Sequence, residues 1–511
     1  MSLTYTGTLI LIIALLPCAF GSTALSLDQD TTKPAPRPNI LLILCDDLGY
    51  SDIGCYGGEI ETPHLDRLAT EGMRFRQFYN NAKCTTTRAS IITGQYPRRK
   101  GGLLRADMRT LGEVMLAAGY RTALSGKWHL GKTQSTHPFQ RGFERFYGLL
   151  DGCCNFFDPS QRDPGYKGGR IRSFGEDDRL ITDFPEDFYT TDAFTDHAIQ
   201  CVKDFAEDNA PFFLHLCFTA PHYPLHALPQ DIAKYRGTYK AGWDVLRGQR
   251  FERMKQLGII DERYRLTPTD SRSYDWKNAN HEWEDLRMAV YAAMVDRVDQ
   301  NIGRLMQALK DSGQAENTLT IFLSDNGGCA EEPGGRAKAG EIPQRTPGPK
   351  DDYTAVGPAW GWAQNAPFKR YKSWCHEGGI KTPCIAHWPA HIEAKSFSDQ
   401  VGHIIDFMPT FVALGGASGE PSLPAMEGQS LLPQLTGSSA QGRSELCWEW
   451  AGSRAIRQLD EKLVWDKTRK QWELYDLRVD PSESNDLAAK RPERVDELAA
   501  AWKIWATKTG L

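Results

Sequence analysis

Pro38-Asn39-Ile40-Leu41-Leu42-Ile43-Leu44-Cys45-Asp46-Asp47-Leu48-Gly49 is a continuous apolar run that stops at two adjacent carboxylates. An apolar run of this length without polar alternation reads as a strand covered on both faces, as in a parallel sheet between helices. Far along the chain the pattern returns, with Thr318-Leu319-Thr320-Ile321-Phe322-Leu323 running into Ser324-Asp325-Asn326-Gly327-Gly328. Ligand crevices in open α/β sheets lie outside the carboxyl ends of the strands, so both polar endings are expected in one crevice. Two more strands read over Tyr120–Ser125 and Pro211–Phe218, ending at Gly126-Lys127-Trp128-His129-Leu130-Gly131 and Ala220-Pro221-His222-Tyr223-Pro224. Helical patterns over 110–119, 192–207 and 285–311 alternate with the strands. That order predicts an α/β fold with a large mixed, mainly parallel sheet between helices.

Asp46, Asp47, Asp325 and Asn326 offer three carboxylates and one amide oxygen, a donor set for a hard cation such as Ca²⁺ or Mg²⁺ rather than zinc. Taken singly, each pair closes a strand as an ordinary turn. Together they crowd carboxylates that need a cation to stay ionised. Between the strands lies Cys84-Thr85-Thr86-Thr87-Arg88. Residues 87–93 read as the first turns of a helix, whose free N–H groups favour an anion beside residue 84. Arg88, one turn on from Cys84, faces the same place with a permanent charge.

The segment Cys84–Arg88 resembles the nucleophile signature of the type I, formylglycine-dependent sulfatases, with Thr86 where that family usually has proline or alanine. Gly126-Lys127-Trp128-His129-Leu130-Gly131 matches the family's second signature residue for residue. The resemblance covers nearly the whole mature chain and is closest to bacterial arylsulfatases. It implies an alkaline-phosphatase-like fold, and a maturation enzyme that oxidises Cys84 to formylglycine, whose hydrate supplies the attacking oxygen. It implies that Asp46, Asp47, Asp325 and Asn326 hold Ca²⁺, in preference to Mg²⁺, and that the ion also touches residue 84. Arg88 and Lys127 then belong to the nucleophile's surroundings and His129 to proton transfer. His222 and Lys372 bind sulfate and serve the leaving group; Lys372 stands seven residues after Asn365 in Asn365-Ala366-Pro367-Phe368-Lys369-Arg370-Tyr371-Lys372. Lys127 and His129, two apart on an extended segment, are expected to project from one face. His226 is a weaker site residue, while His215, His376 and Glu377 read as structural; Lys369 occupies a position where the family usually has arginine and is not the sulfate-binding lysine.

The 511 residues exceed one typical domain, and a formal net charge of −5 argues against a general nucleic-acid surface. Residues 1–26 read as a signal peptide, because the apolar stretch Leu9–Phe20 falls short of the roughly 20 residues of a membrane span. A proline-rich linker follows over 27–38, then a catalytic domain over 39–442. A small C-terminal α+β domain over 443–511 has short antiparallel strands and a last helix at 492–508. Residues 329–360, rich in Gly and Pro, are expected to loop over the crevice. Phe156, Phe157, Trp360 and Trp362 line a pocket or fill the core. Of the twelve cysteines, Cys45 and Cys217 read as buried thiols in strands, and no disulfide pairing follows from spacing. The resemblance implies a sulfuric ester hydrolase for an aryl or carbohydrate sulfate; with the signal peptide it is expected to be periplasmic or secreted, and no nucleic-acid or stable membrane partner is expected. Two alternatives stand beside it: a phosphodiester or phosphonate monoester hydrolase on the same fold, and a non-catalytic sulfated-glycan-binding relative in which Cys84 stays a thiol.

Overall fold

The strand Asn39–Asp46 is buried along its whole length, and its alternate side chains feed two separate cores. Leu41, Ile43 and Cys45 pack on one face of the sheet, and Ile40, Leu42 and Leu44 on the other. Each fully buried aliphatic side chain here contributes about 2 kcal/mol relative to exposure. The first face is covered by the helices His281–Asp311 and Thr190–Glu207; the second by Cys84–Thr93, Leu111–Ala117 and Phe407–Leu414. Their starts are chemically marked. Asn280 caps the longest helix by accepting from the Trp283 amide at 3.1 Å, and Thr110 with Glu113 forms a reciprocal capping box.

The computed structural model describes residues 37–98, 102–208, 210–333, 335, 345–417, 423, 425–438 and 442–511. The expected signal peptide and all but the last two residues of the expected linker lie outside the described residues. The ten-stranded sheet runs in the order Ser396–Ser398, Met73–Phe75, Cys384–His387, Thr318–Ser324, Asn39–Asp46, Phe212–Pro221, Arg121–Gly126, Arg145–Leu149, Phe174–Glu176, Arg179–Ile181. The five strands from Thr318–Ser324 to Arg145–Leu149 are mutually parallel, and Cys384–His387 and the two strands after residue 173 pair antiparallel. This is the expected mixed, alkaline-phosphatase-like sheet.

A second, four-stranded antiparallel sheet follows in simple sequence order: Glu445–Trp450, Ser453–Gln458, Glu461–Asp466 and Gln471–Asp476. The helix Pro492–Thr509 covers one face through Leu498, Trp502 and Ala506. The other face, through Leu446, Trp448 and Val464, packs on Tyr79, Ala82 and Ile380. Trp448 donates its indole N–H to the carbonyl of Asn80 at 2.8 Å, four residues before Cys84. The seam carries a buried ionic cluster, with Lys462 Nζ 2.6 Å from Glu377 Oε1 and 2.7 Å from Glu483 Oε1.

One reading changes in detail, and two left open are resolved. The loop expected over 329–360 already contains the start of a helix, Gly357–Gln364, and residues 334 and 336–344 lie outside the described residues. Trp360 is core, donating to Glu284 Oε2 at 2.8 Å amid Tyr239, Trp243 and Trp276, and Phe156 is buried as well. Phe157 instead lines a cavity of about 470 Å³. The eleven cysteines among the described residues are all free and buried.

Candidate active site

Sheet register brings the polar strand endings together. Cys45 lies opposite Ser324 and Asp46 opposite Pro221, so Asp325 and His222 follow on the strands flanking Asp46. Asp47 turns out of the strand at φ 66°, a left-handed backbone rare for a residue with a Cβ. Its amide donates to Asp325 Oδ1 at 3.2 Å, and its Oδ1 accepts from Asn326 Nδ2 at 2.7 Å. Asp46, Asp47, Asp325 and Asn326 are all buried around one point.

The helix begins three residues earlier than its sequence suggests. Cys84 itself is its first residue, after Lys83 in extended conformation, because the hydroxyls of Thr86 and Thr87 tie the first turn back to the preceding loop. Thr86 Oγ1 is 2.9 Å from the carbonyls of both Asn81 and Lys83, and Thr87 Oγ1 accepts from the Asn81 amide at 3.0 Å. The threonine where relatives of this motif have proline or alanine therefore has its hydroxyl satisfied locally. Cys84 is 1 % exposed, so burial raises the pKa of its thiol and keeps it protonated, the opposite of what a thiolate nucleophile needs.

Around it stand fixed cations. Arg88 contacts Asp325 Oδ2 with Nε at 3.1 Å and Nη2 at 2.8 Å, and gives Nη1 to the Lys127 carbonyl at 2.8 Å. Lys127 Nζ lies 2.5 Å from Asp46 Oδ2, and Lys372 Nζ lies 2.7 Å from Asp47 Oδ2. Lys369 turns away to Glu473 Oε2 at 2.9 Å. The adjacent carboxylates are driven apart. Burial raises Asp46 to about 6 although Lys127 opposes it, whereas at Asp47 Lys372 and His222 overcome burial and hold the group well below the usual carboxylate range. Burial resists the charge on Lys372, but Asp47, Cys329 and Glu331 raise its pKa well above the ordinary value.

The histidines divide. His222 donates Nδ1–H to the Tyr223 carbonyl at 2.6 Å, which turns Nε2 toward Asp47 Oδ2 at 3.6 Å; burial lowers it to about 4. Lys127 and His129 do not share the face of an extended strand. The strand ends at Gly126, and His129 takes φ 60°, with its ring so close to Gly152 that a Cβ there would clash. His129 Nδ1 is buried without a partner, and burial together with Lys127 and Arg88 pushes the ring's pKa well down. His226 leaves the site: its Nε2 contacts the Asp352 carbonyl at 2.7 Å and its Nδ1 faces the Phe156 amide. His376 is bound to Glu473 at 2.8 Å, and His215 to the Leu42 carbonyl at 3.1 Å.

The donor set can be tested for a metal on its own chemistry. Asp46 Oδ1 and Asn326 Oδ1 are buried oxygens without any hydrogen-bond partner, which is costly unless something electropositive meets them. Ligand atoms of Asp46, Asp47 and His222 lie within 4.8 Å of one another, as do those of Asp46, Cys84 and Asp325. An all-oxygen set with two orphaned acceptors fits a hard divalent cation.

Sequence reasoning missed Lys83, Tyr223, Cys329 and Glu331. Glu331 meets Lys83 Nζ at 3.0 Å and the Tyr223 hydroxyl at 2.7 Å, in the wall of a cavity of about 630 Å³ that also contains Lys372. The only local signal was the charge of Lys83 beside Cys84.

Comparison with known proteins now decides the family. The profile described as Sulfatase matches residues 38–417. The chain belongs to the sulfatase family. It is a sulfuric ester hydrolase by that membership, close to the arylsulfatases. A second profile, described as N-sulphoglucosamine sulphohydrolase, C-terminal, matches residues 368–503 and so spans Lys372 and the four-stranded sheet. The chain is 32 % identical to an uncharacterized sulfatase of Schizosaccharomyces pombe, over 93 % of this sulfatase and 94 % of that one. It is 31 % identical to the arylsulfatase of Klebsiella aerogenes, over 76 % and 88 % of the two chains. Among solved structures, Ps i-CgsB in complex with k-i-k-neocarrahexaose superposes with a TM-score of 0.68 at 26 % identity, covering 92 % of this chain and 93 % of that one.

Proposed function

We propose that this sulfatase is an exported enzyme that releases inorganic sulfate from a carbohydrate sulfate ester, with formylglycine made from Cys84 as nucleophile. The observation that carries the reading is the position of Cys84. It is the first residue of a helix, with its Sγ within 4.8 Å of the ligand oxygens of Asp46 and Asp325. A helix start favours the sulfate group by its free amides. Asp46, Asp47, Asp325 and Asn326 would hold Ca²⁺, with Mg²⁺ the alternative. The bound cation and formylglycine supply Lewis-acid polarisation and a hydrated aldehyde oxygen.

The chain's own groups account for the rest. Arg88 and Lys127 are held rigidly by Asp325 and Asp46, so their charges need no reorganisation as charge shifts on the sulfuryl oxygens. Lys372 keeps its proton and offers it to the departing oxygen. His129, neutral and with an unpartnered nitrogen, is the group able to accept a proton. The cavity beside Lys372 carries Lys167, Arg272 and Lys467 with Tyr371 and Trp374, a mixture of cations and ring faces that suits a sulfated sugar better than a bare aryl group. Relatives named for N-acetylgalactosamine 6-sulfate and the complex with a carrahexaose support the same class. No helix among the described residues is long and apolar enough to cross a membrane. Export rests on the sequence of residues 1–26, and the remaining partners in this reading are the maturation enzyme and the ester.

The test is the mass of the peptide carrying residue 84, from protein made in its native host, together with sulfate release from sulfated sugars. An aldehyde or its hydrate with release is the expected result. An unmodified thiol with sulfate binding and no release selects the glycan-binding alternative. Faster turnover of phosphodiesters than of sulfate esters selects the other.

A further inference from the structure

Glu331 follows the Asp325-Asn326 strand ending and places its carboxylate among the lysines of the site. Oε1 is 3.0 Å from Lys83 Nζ and 3.7 Å from Lys372 Nζ, while Oε2 accepts from the Tyr223 hydroxyl at 2.7 Å. The side chain is 38 % exposed, in the wall of the cavity that reaches Lys372. Neutralising Lys372 does not require it, because Asp47 already lies 2.7 Å from that ammonium. Lys83 is 20 % exposed and within reach of solvent. Counting side chains alone and leaving the divalent cation aside, Lys83, Arg88, Lys127 and Lys372 pair with as many carboxylates: Glu331, Asp325, Asp46 and Asp47. An oxyanion hydrogen-bonded to Lys372 lies within about 7 Å of Glu331, given a hydrogen bond of about 3 Å.

We propose that Glu331 sets the charge the site accepts, admitting a singly charged sulfate ester and weakening the hold on a doubly charged oxyanion. The inference rests on the sulfate-ester reading above. Hydrolysis converts the ester and water into an alcohol, a proton and sulfate, so one negative charge on the bound oxyanion becomes two. Coulomb repulsion grows in proportion to ligand charge. The carboxylate that tolerates the substrate therefore opposes the product twice as strongly and favours its departure. The same repulsion rejects phosphate monoesters, which carry nearly two charges above a second pKa of about 6, but spares singly charged phosphodiesters. Glu331 acts on the charge of the ligand rather than on its central atom.

The experiment compares the purified wild type with Glu331→Gln and Glu331→Ala, titrating inorganic sulfate and methanesulfonate by calorimetry at pH 8. Methanesulfonate carries one charge and sulfate two. The expected result is tighter binding by about fivefold for methanesulfonate and about 25-fold for sulfate, the second factor being the square of the first. Glu331→Asp, which keeps the charge, should leave the ratio of the two constants within about twofold of wild type. In turnover, Glu331→Gln should gain on aryl phosphate relative to aryl sulfate, with the aryl phosphodiester ratio unchanged. Equal tightening for both anions, or none in either neutral variant, overturns the proposal. If the wild type turns over no sulfate ester at all, the sulfatase reading fails, and the two binding constants still decide the role of Glu331.

Discussion

Arg88 holds Asp325 through two nitrogens on one oxygen, with Nε at 3.1 Å and Nη2 at 2.8 Å from Oδ2. Both side chains are buried, so the pair fastens the helix that carries Cys84 to the strand that carries the metal-type carboxylates. Replacing Arg88 by Met leaves Asp325 buried without its guanidinium partner, at a cost of about 3–5 kcal/mol in the metal-free protein. Urea denaturation should show this loss, with Arg88→Lys intermediate because one ammonium cannot make both contacts. A midpoint unchanged in the Met variant would remove the structural role assigned to the pair.

The orphaned oxygens Asp46 Oδ1 and Asn326 Oδ1 predict a metal-dependent fold stability. Chelation should lower the melting temperature, and Ca²⁺ should restore it more fully than Mg²⁺. Asn326→Ala removes one oxygen and should weaken Ca²⁺ binding by at least about tenfold, since even outer-shell partners are worth that much. Calorimetric titration of the chelated protein checks both statements.

Cys84→Ala keeps the residue at the helix start small but leaves no heteroatom on Cβ, so no aldehyde can form at position 84. Steady-state sulfate release should fall by about 10³-fold or more, the scale on which nucleophile deletions act. Retained turnover in this variant would show that residue 84 is not the nucleophile.

His215 sits within the sheet, bound to the Leu42 carbonyl, and burial lowers its pKa to about 4. The unfolded chain takes up a proton near pH 6.5 and the folded chain only near 4, so acid favours unfolding. Stability from this residue is complete above about pH 6.5 and drains by about 3 kcal/mol as pH falls toward 4. His215→Gln should flatten that limb when urea midpoints are followed from pH 7.5 to 4.5.

Lys462 is fully buried between Glu377 and Glu483 where the four-stranded sheet meets the rest of the molecule. Lys462→Met strands two carboxylates together and should cost about 3–5 kcal/mol. Thermal melts of the variant against wild type measure it, and a change below about 1 kcal/mol would mean the seam does not depend on this ion cluster.

The parts of the site that lie at strand ends could be read directly. Asp46-Asp47 and Asp325-Asn326 each terminate an apolar run, and the parallel register that joins them follows from the same apolar pattern. Lys372 was separable from Lys369 by its motif, and the structure gives the physical difference: one points at Asp47, the other at Glu473. What stayed hidden depends on contacts between distant residues. Glu331 meets Lys83 across 248 positions, from a Gly- and Pro-rich stretch with no periodicity to read. The left-handed backbone at His129 was equally invisible, because a histidine there carries none of the glycine signal that usually marks such a conformation. The helix start at Cys84 was placed late because Thr86 and Thr87 look like loop residues until their hydroxyls are seen closing the first turn.

Trp448 reaching back to the Asn80 carbonyl has a consequence in time. The loop that leads into Cys84 is completed by a residue synthesised long after it, from the sheet that is made last. A nascent chain therefore lacks this anchor on the loop before Cys84 until the C-terminal sheet arrives, and in the finished molecule Cys84 is 1 % exposed. Asn80 and Trp448 stand 368 positions apart, so at about 5–20 residues per second the interval before Trp448 is made lasts about 20–70 s. If residue 84 is remodelled as proposed, the loop before it stands without its Trp448 anchor during that interval, which makes the order of synthesis a part of this protein's chemistry.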